Sequence, residues 1–178
     1  VQDNTNTVMA ANSFPQYRHN TLVEGGTVKE IPVKANGEHD LQAMNAAIDE
    51  ETVVVWICAP DNPTGTLIKG EEFINFMEDC PKDVLVVLDE AYREYVDEAQ
   101  LLDSHTYIKN YPNLISLRTF SKAYGLAGLR IGYGIGHPDL VHHLNVVRGP
   151  FNTTSVAQKA ATIAIQDEDF IRETVEKN

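Results

Sequence analysis

Three apolar stretches each run into a cluster of polar side chains. Val53–Cys58 leads into Ala59-Pro60-Asp61-Asn62-Pro63-Thr64-Gly65, Val84–Asp89 ends in Asp89-Glu90-Ala91-Tyr92, and Leu114–Arg118 leads into Thr119-Phe120-Ser121-Lys122. Together the clusters supply an amine (Lys122), a carboxylate (Asp89), a phenol (Tyr92), an amide (Asn62) and several hydroxyls. Each has an ordinary explanation: Asn-Pro-Thr-Gly is a good turn, an Asp ending a strand often caps the next helix, and a loop Lys is usually solvated. Their joint placement argues for more. A carboxylate at the end of an apolar run is costly to bury unless it meets a cation, and a cationic heterocycle is one such partner.

These residues need elements that bring them together. The three runs are rich in Val, Ile and Leu with little alternation, the pattern of strands covered on both faces. Further strands are expected at Thr7–Ala10, Val28–Val33 and Arg130–Gly136. Helices are expected at Pro15–Val23, Leu41–Ile48 behind an Asp40 cap, Gly70–Asp79, Asp139–Val147 and Ser155–Gln166. Leu140, Leu144 and Val147 recur at spacings of four and three, one face of the fourth helix. The alternation predicts an α/β fold with a mostly parallel central sheet and helices on both faces. Ligands of such sheets bind beyond the carboxyl ends of the strands, and neighbouring strands lie about 4.8 Å apart. If the three runs are neighbours, Asn62, Asp89, Tyr92 and Lys122 share one rim.

Other chemistries find little support. The 178 residues carry 26 acidic and 14 basic side chains, a formal charge of -12, which repels nucleic acid and anionic lipid surfaces. No apolar run is long enough to cross a bilayer, and Val1–Thr7 lacks the features of a signal peptide. Cys58 and Cys80 read as buried reduced thiols, which suits a cytoplasmic protein. No His-Glu-x-x-His or Cys-x-x-Cys motif marks a metal site, and no Gly-x-Ser-x-Gly marks a serine nucleophile. Gly134-Ile135-Gly136-His137-Pro138-Asp139 has Asp where a dinucleotide fingerprint needs its third glycine, and Glu71 stands where a phosphate loop needs Lys. Gly132, Gly134 and Gly136 instead leave one face of a strand bare for close packing. The lone Trp56 reads as core.

The same residues resemble a known family, the pyridoxal-phosphate-dependent aminotransferases of fold type I, and within it the subgroup acting on histidinol phosphate. The resemblance rests on Asn62-Pro63-Thr64-Gly65, on Asp89-Glu90-Ala91-Tyr92, and above all on the run from Thr119 through Lys122 to Arg130 and Tyr133. Order and spacing match as a set over essentially the whole chain. Phe14-Pro15-Gln16-Tyr17-Arg18-His19 and Arg148-Gly149-Pro150-Phe151-Asn152 look like the same subgroup.

By resemblance, the cofactor is pyridoxal 5'-phosphate and Lys122 is the catalytic amine that attaches to its C4' atom. Asp89 pairs with the ring nitrogen, Asn62 and Tyr92 bond the 3' oxygen, Phe14 stacks on the ring, and Thr119, Ser121 and Arg130 hold the phosphate. Glu90, beside Asp89, is expected to matter only modestly for stability. The implied reaction moves an amino group from histidinol phosphate to 2-oxoglutarate in histidine biosynthesis, in a homodimer. A related amino-acid-phosphate decarboxylase or another aminotransferase on the same scaffold, and a non-catalytic sensor domain, remain alternatives. The family also has a phosphate-binding turn before this region and a smaller C-terminal domain with a carboxylate-binding arginine. Residues 1–166 are therefore expected to be part of the cofactor-binding large domain, incomplete at both ends, and 167–178 to begin the connection to the small one. Such a piece should leave one flank of Arg130–Gly136 unpaired. Asp61 replaces an Asn common in the subgroup.

Overall fold

The computed structural model describes residues 1–178. The apolar runs form strands β1 (Asn6–Ala10), β2 (Thr27–Ile31), β3 (Thr52–Cys58), β4 (Leu85–Asp89), β5 (Leu114–Thr119) and β6 (Gly132–Gly136). They make one sheet in the order β2-β1-β3-β4-β5-β6. All neighbours are parallel except β5 and β6, which are antiparallel. The helices are α1 (Gln16–Val23), α2 (Leu41–Ala46), α3 (Gly70–Asp79), α4 (Ser104–Asn110), α5 (Pro138–Val147), α6 (Ser155–Ala164) and α7 (Glu168–Lys177). Five start on a side-chain cap: Asp40, Asp103, Thr154 and Asp167 each accept a backbone N–H three residues on, and His137 accepts one two residues on.

Both faces of the sheet are used. On one, Val8, Val55, Ile57, Val86 and Leu88 meet α2, α3 and α4 through Met44, Phe73, Met77 and Ile108. Phe73 and Met77 are fully buried, each contributing about 1.5–3 kcal/mol by removal from water. On the other, Met9 and Cys58 pack on Tyr17 of α1, and Val54, Val87 and Ile115 on Leu140 of α5. Helix α4 has no counterpart among the expected elements; it is short and carries a single Ile.

The apolar face of α5 is only partly covered. Leu140 reaches the sheet, but Leu144 is exposed and Val147 is 80% exposed, so the apolar face is covered only at its start. The helix packs on β6, the last strand of the sheet, through Leu140 beside Gly136. Close packing explains the β6 glycines: a Cβ on Gly132 would stand 2.6 Å from the Arg118 carbonyl oxygen, and one on Gly134 3.1 Å from Ile115 Cδ1. No helix is long and apolar enough to cross a membrane.

Candidate active site

Because β3, β4 and β5 are neighbours, their carboxyl ends align: Cys58 pairs with Asp89, and Asp89 with Leu117. The polar clusters after them therefore share one rim. Asn62 Nδ2 donates to the Tyr92 hydroxyl at 3.2 Å, and Lys122 Nζ lies 5.2 Å from the centre of the Tyr92 ring. All three line a cleft of about 550 Å³. A larger cleft of about 740 Å³, between α2 and α3, contains none of the candidate residues.

A second group surrounds the turn after β5. Thr119 Oγ1 accepts the Ser121 N–H at 3.0 Å, and Arg130 Nη1 donates to the Ala127 carbonyl at 2.7 Å and to Ser121 Oγ at 3.4 Å. Arg130 has φ 51, a left-handed backbone unusual for a residue with a side chain, which ends the short 3-10 turn of Ala127–Leu129. Strain of this kind costs roughly 1–3 kcal/mol and concentrates at functional sites. The exposed guanidinium keeps donors free. Neither this group nor Asp89 or Phe14 lines the cleft holding Lys122.

Asp89 is held from two sides. Oδ1 accepts the Ala91 N–H at 3.0 Å, a local turn in place of the helix cap that an Asp ending a strand often makes, and Oδ2 accepts the Tyr17 hydroxyl at 2.7 Å. Burial lifts the Asp89 carboxyl above the usual carboxylate range; the Tyr17 and Ala91 bonds and the Lys122 charge work in the opposite direction, while Glu90 adds to the rise. No cation is hydrogen-bonded to it. An N–H of a cationic ring would supply the counter-charge this carboxylate lacks.

Tyr17 was not singled out by sequence as a site residue. Burial, then the neighbouring Cys58 and Asp89, raises its phenol far above the ordinary tyrosine range, so it acts as a donor to Asp89. Its ring stacks on Trp56 at 4.6 Å and meets Phe14 edge-on at 5.5 Å, which links Phe14 at the rim to Asp89. The only sequence signal was a Tyr three positions after Phe14, at the start of a helix. Both cysteines are free and buried; burial pushes the Cys58 thiol up to about 12 and the Cys80 thiol up to about 11. Neither is poised as a nucleophile.

Glu90 departs from expectation. Its side chain is buried and accepts from Ser104 Oγ at 2.8 Å, Ser116 Oγ at 2.5 Å, Arg118 Nε and Nη2 at 3.2 Å and Arg93 Nη1 at 3.1 Å. This network faces away from Asp89 and joins β5, α4 and the turn after β4. Glu90 is a structural centre, not a minor neighbour. Asp61 is also buried and is turned onto Ser13, His39 and Thr64.

The family model described as aminotransferase class I and II matches residues 2–178. A histidinol-phosphate aminotransferase of Geobacillus sp. (strain WCH70) is 56% identical over 178 residues, covering 100% of this chain and 48% of that protein. That of Bacillus subtilis (strain 168) is 52% identical, covering 100% and 49%. The crystal structure of histidinol-phosphate aminotransferase from Sinorhizobium meliloti in complex with pyridoxal-5'-phosphate matches with a TM-score of 0.93 at 32% identity, covering 99% of this chain and 48% of that one. The chain spans about half the length of the curated relatives it matches.

Proposed function

The chain belongs to the class I and II aminotransferases, and on that premise we propose that it forms the cofactor-binding part of a pyridoxal-phosphate-dependent transaminase. The reading rests on one observation above the rest. Asn62, Tyr92 and Lys122 converge on one cleft, while the adjacent strand ends in a carboxylate with no hydrogen-bonded cation.

The residues suit the parts of that cofactor. Asp89 would receive the ring N–H, and its charge keeps that nitrogen protonated. Tyr92 already accepts from Asn62, so its own hydroxyl proton and the second Asn62 N–H are free for the 3' oxygen. Arg130 spends Nη1 on Ala127 and Ser121 and would present Nη2 and Nε, with Ser121 and Thr119, to a phosphate. Phe14 would cover the ring. When bound, pyridoxal phosphate supplies a carbonyl carbon that accepts amines and a ring that draws electrons from them.

Lys122 does the proton work. Its amine would take a proton from the substrate Cα and later return one, acting as base and then acid. The charge of Asp89 must stay fixed while this happens, which its two hydrogen bonds favour.

The names of the relatives support histidinol phosphate as the amino donor, and the family resemblance implies 2-oxoglutarate as the acceptor. We further infer a homodimer in the cytoplasm. The test is product analysis with the intact protein: histidinol phosphate and 2-oxoglutarate should yield glutamate and the matching ketone. Carbon dioxide released from an amino-acid phosphate would instead indicate a decarboxylase, and cofactor binding without turnover a sensor.

A further inference from the structure

Two of the ring-facing residues are preceded in sequence by residues that bond to each other. Ser13 precedes Phe14, and Asp61 precedes Asn62. Ser13 Oγ donates to Asp61 Oδ1 at 2.5 Å, Thr64 Oγ1 donates to Oδ2 at 2.9 Å, and His39 Nε2 stands 3.1 Å from Oδ1. The Asp61 and His39 side chains are each 1% exposed. One carboxylate thus ties together the exit of β1, the segment before α2 and the turn after β3.

The backbone closes the turn on the same residue. Asp61 N–H donates to the Thr66 carbonyl at 2.9 Å, and Gly65 N–H donates to the Asp61 carbonyl at 2.8 Å. His39 has no other polar partner, since its Nδ1 is buried and unbonded. Its imidazole is therefore spent wholly on orienting Asp61. A carboxylate buried this deeply persists because three donors meet it. Alone it would unfold the turn; with them it becomes a rigid joint between the two segments.

We propose that Asp61, oriented by His39, is a positioning residue that sets Phe14 and Asn62 in one geometry on the cofactor ring, the first through Ser13 and the second through its own backbone. The proposal rests on the pyridoxal phosphate reading above. It concerns placement, so it predicts effects on cofactor binding that a mere brace for the fold would not have.

The test measures, in the intact protein, the dissociation constant for pyridoxal phosphate and the visible circular dichroism of the bound cofactor. Asp61→Ala should weaken binding by about tenfold, the scale of a lost hydrogen bond to a charged group, and change the dichroism. Asp61→Asn keeps an oxygen for Ser13 and His39 and offers an N–H to Thr64, so it should restore affinity to within about twofold of wild type. In an Asn62→Ala background, Asp61→Ala should cost less than about threefold further, because the residue it places is gone. Ser13→Ala removes a single bond and covers the case in which Asp61→Ala does not fold; it should alter the dichroism and weaken binding by about threefold. Wild-type affinity and dichroism in Asp61→Ala and Ser13→Ala, however far their melting temperatures fall, would overturn the proposal while leaving the cofactor reading intact. A wild-type protein that binds no pyridoxal phosphate would overturn both.

Discussion

The Tyr17 hydroxyl donates to Asp89 Oδ2 over 2.7 Å while its ring lies stacked on Trp56, so a residue of α1 fixes the carboxylate at the end of β4. The stack sets the direction of the phenol, and burial keeps its proton in place. Asp89 is consequently oriented before any ligand arrives.

Tyr17→Phe keeps the stack and deletes the bond. Cofactor affinity should fall by about tenfold, in line with about 1.5 kcal/mol for a hydrogen bond to a charged group. The pH dependence should move as well. Burial raises Asp89 above the value of about 3.9 expected in the unfolded chain, so the folded chain holds the proton across the interval between them. Stability of the cofactor-free protein therefore falls as pH rises through that interval, while cofactor affinity, which needs the carboxylate, rises. Loss of the Tyr17 bond lifts Asp89 further, so the rise in affinity should begin at higher pH. Cofactor titrations across pH on both proteins check this, and unchanged profiles would remove Tyr17 from the site.

Adjacent acids should separate into different kinds of variant. Asp89→Ala should leave thermal stability close to wild type and abolish cofactor retention. Glu90→Ala strands two arginines and two serines around a buried void and should cost about 3–5 kcal/mol of stability. Denaturant unfolding beside cofactor titration distinguishes them. A mild Glu90→Ala would mean that Arg93 and Arg118 find solvent instead.

For Arg130 the discriminating ligand is pyridoxal without its phosphate. Arg130→Lys keeps the charge and loses the planar fork, which should weaken pyridoxal phosphate binding by about 1–3 kcal/mol. Pyridoxal itself should bind both proteins alike. Arg130→Gly, which suits the left-handed backbone at φ 51, should fold well and bind the phosphate ester as poorly as the lysine variant or worse. Equal loss for both ligands would place Arg130 in the architecture rather than at the phosphate.

That Val53–Cys58, Val84–Asp89 and Leu114–Arg118 are strands was readable because they are largely apolar, the pattern of a sheet covered on both sides; that they are neighbours was a condition the sequence left open. The structure places them side by side, and with them Asn62, Tyr92 and Lys122. Tyr17 and Glu90 were harder to read. Nothing local marks which phenol reaches Asp89 across 72 positions, or that Glu90 gathers Ser104, Ser116 and Arg118 from later elements. Both depend on contacts far apart in sequence. In α5, Leu140, Leu144 and Val147 describe an apolar face correctly, but periodicity does not state what covers it.

That face makes its own prediction. Val146 and Val147 at the end of α5, Phe151 at 99% exposure and Val156 of α6 present apolar surface that single exposed residues do not explain. In the intact protein, Val147→Asp with Phe151→Asp should reduce the mass measured by light scattering toward one subunit. An unchanged mass would remove this face from the proposed dimer contact.

The central claim concerns the amine of Lys122, and one labelling measurement addresses it directly. The intact protein, incubated with pyridoxal phosphate, is reduced with borohydride, digested and analysed by mass spectrometry. A single pyridoxyl phosphate adduct is expected, carried by Lys122 and absent from Lys122→Ala. An adduct on another lysine, or none in protein that remains folded, would contradict it.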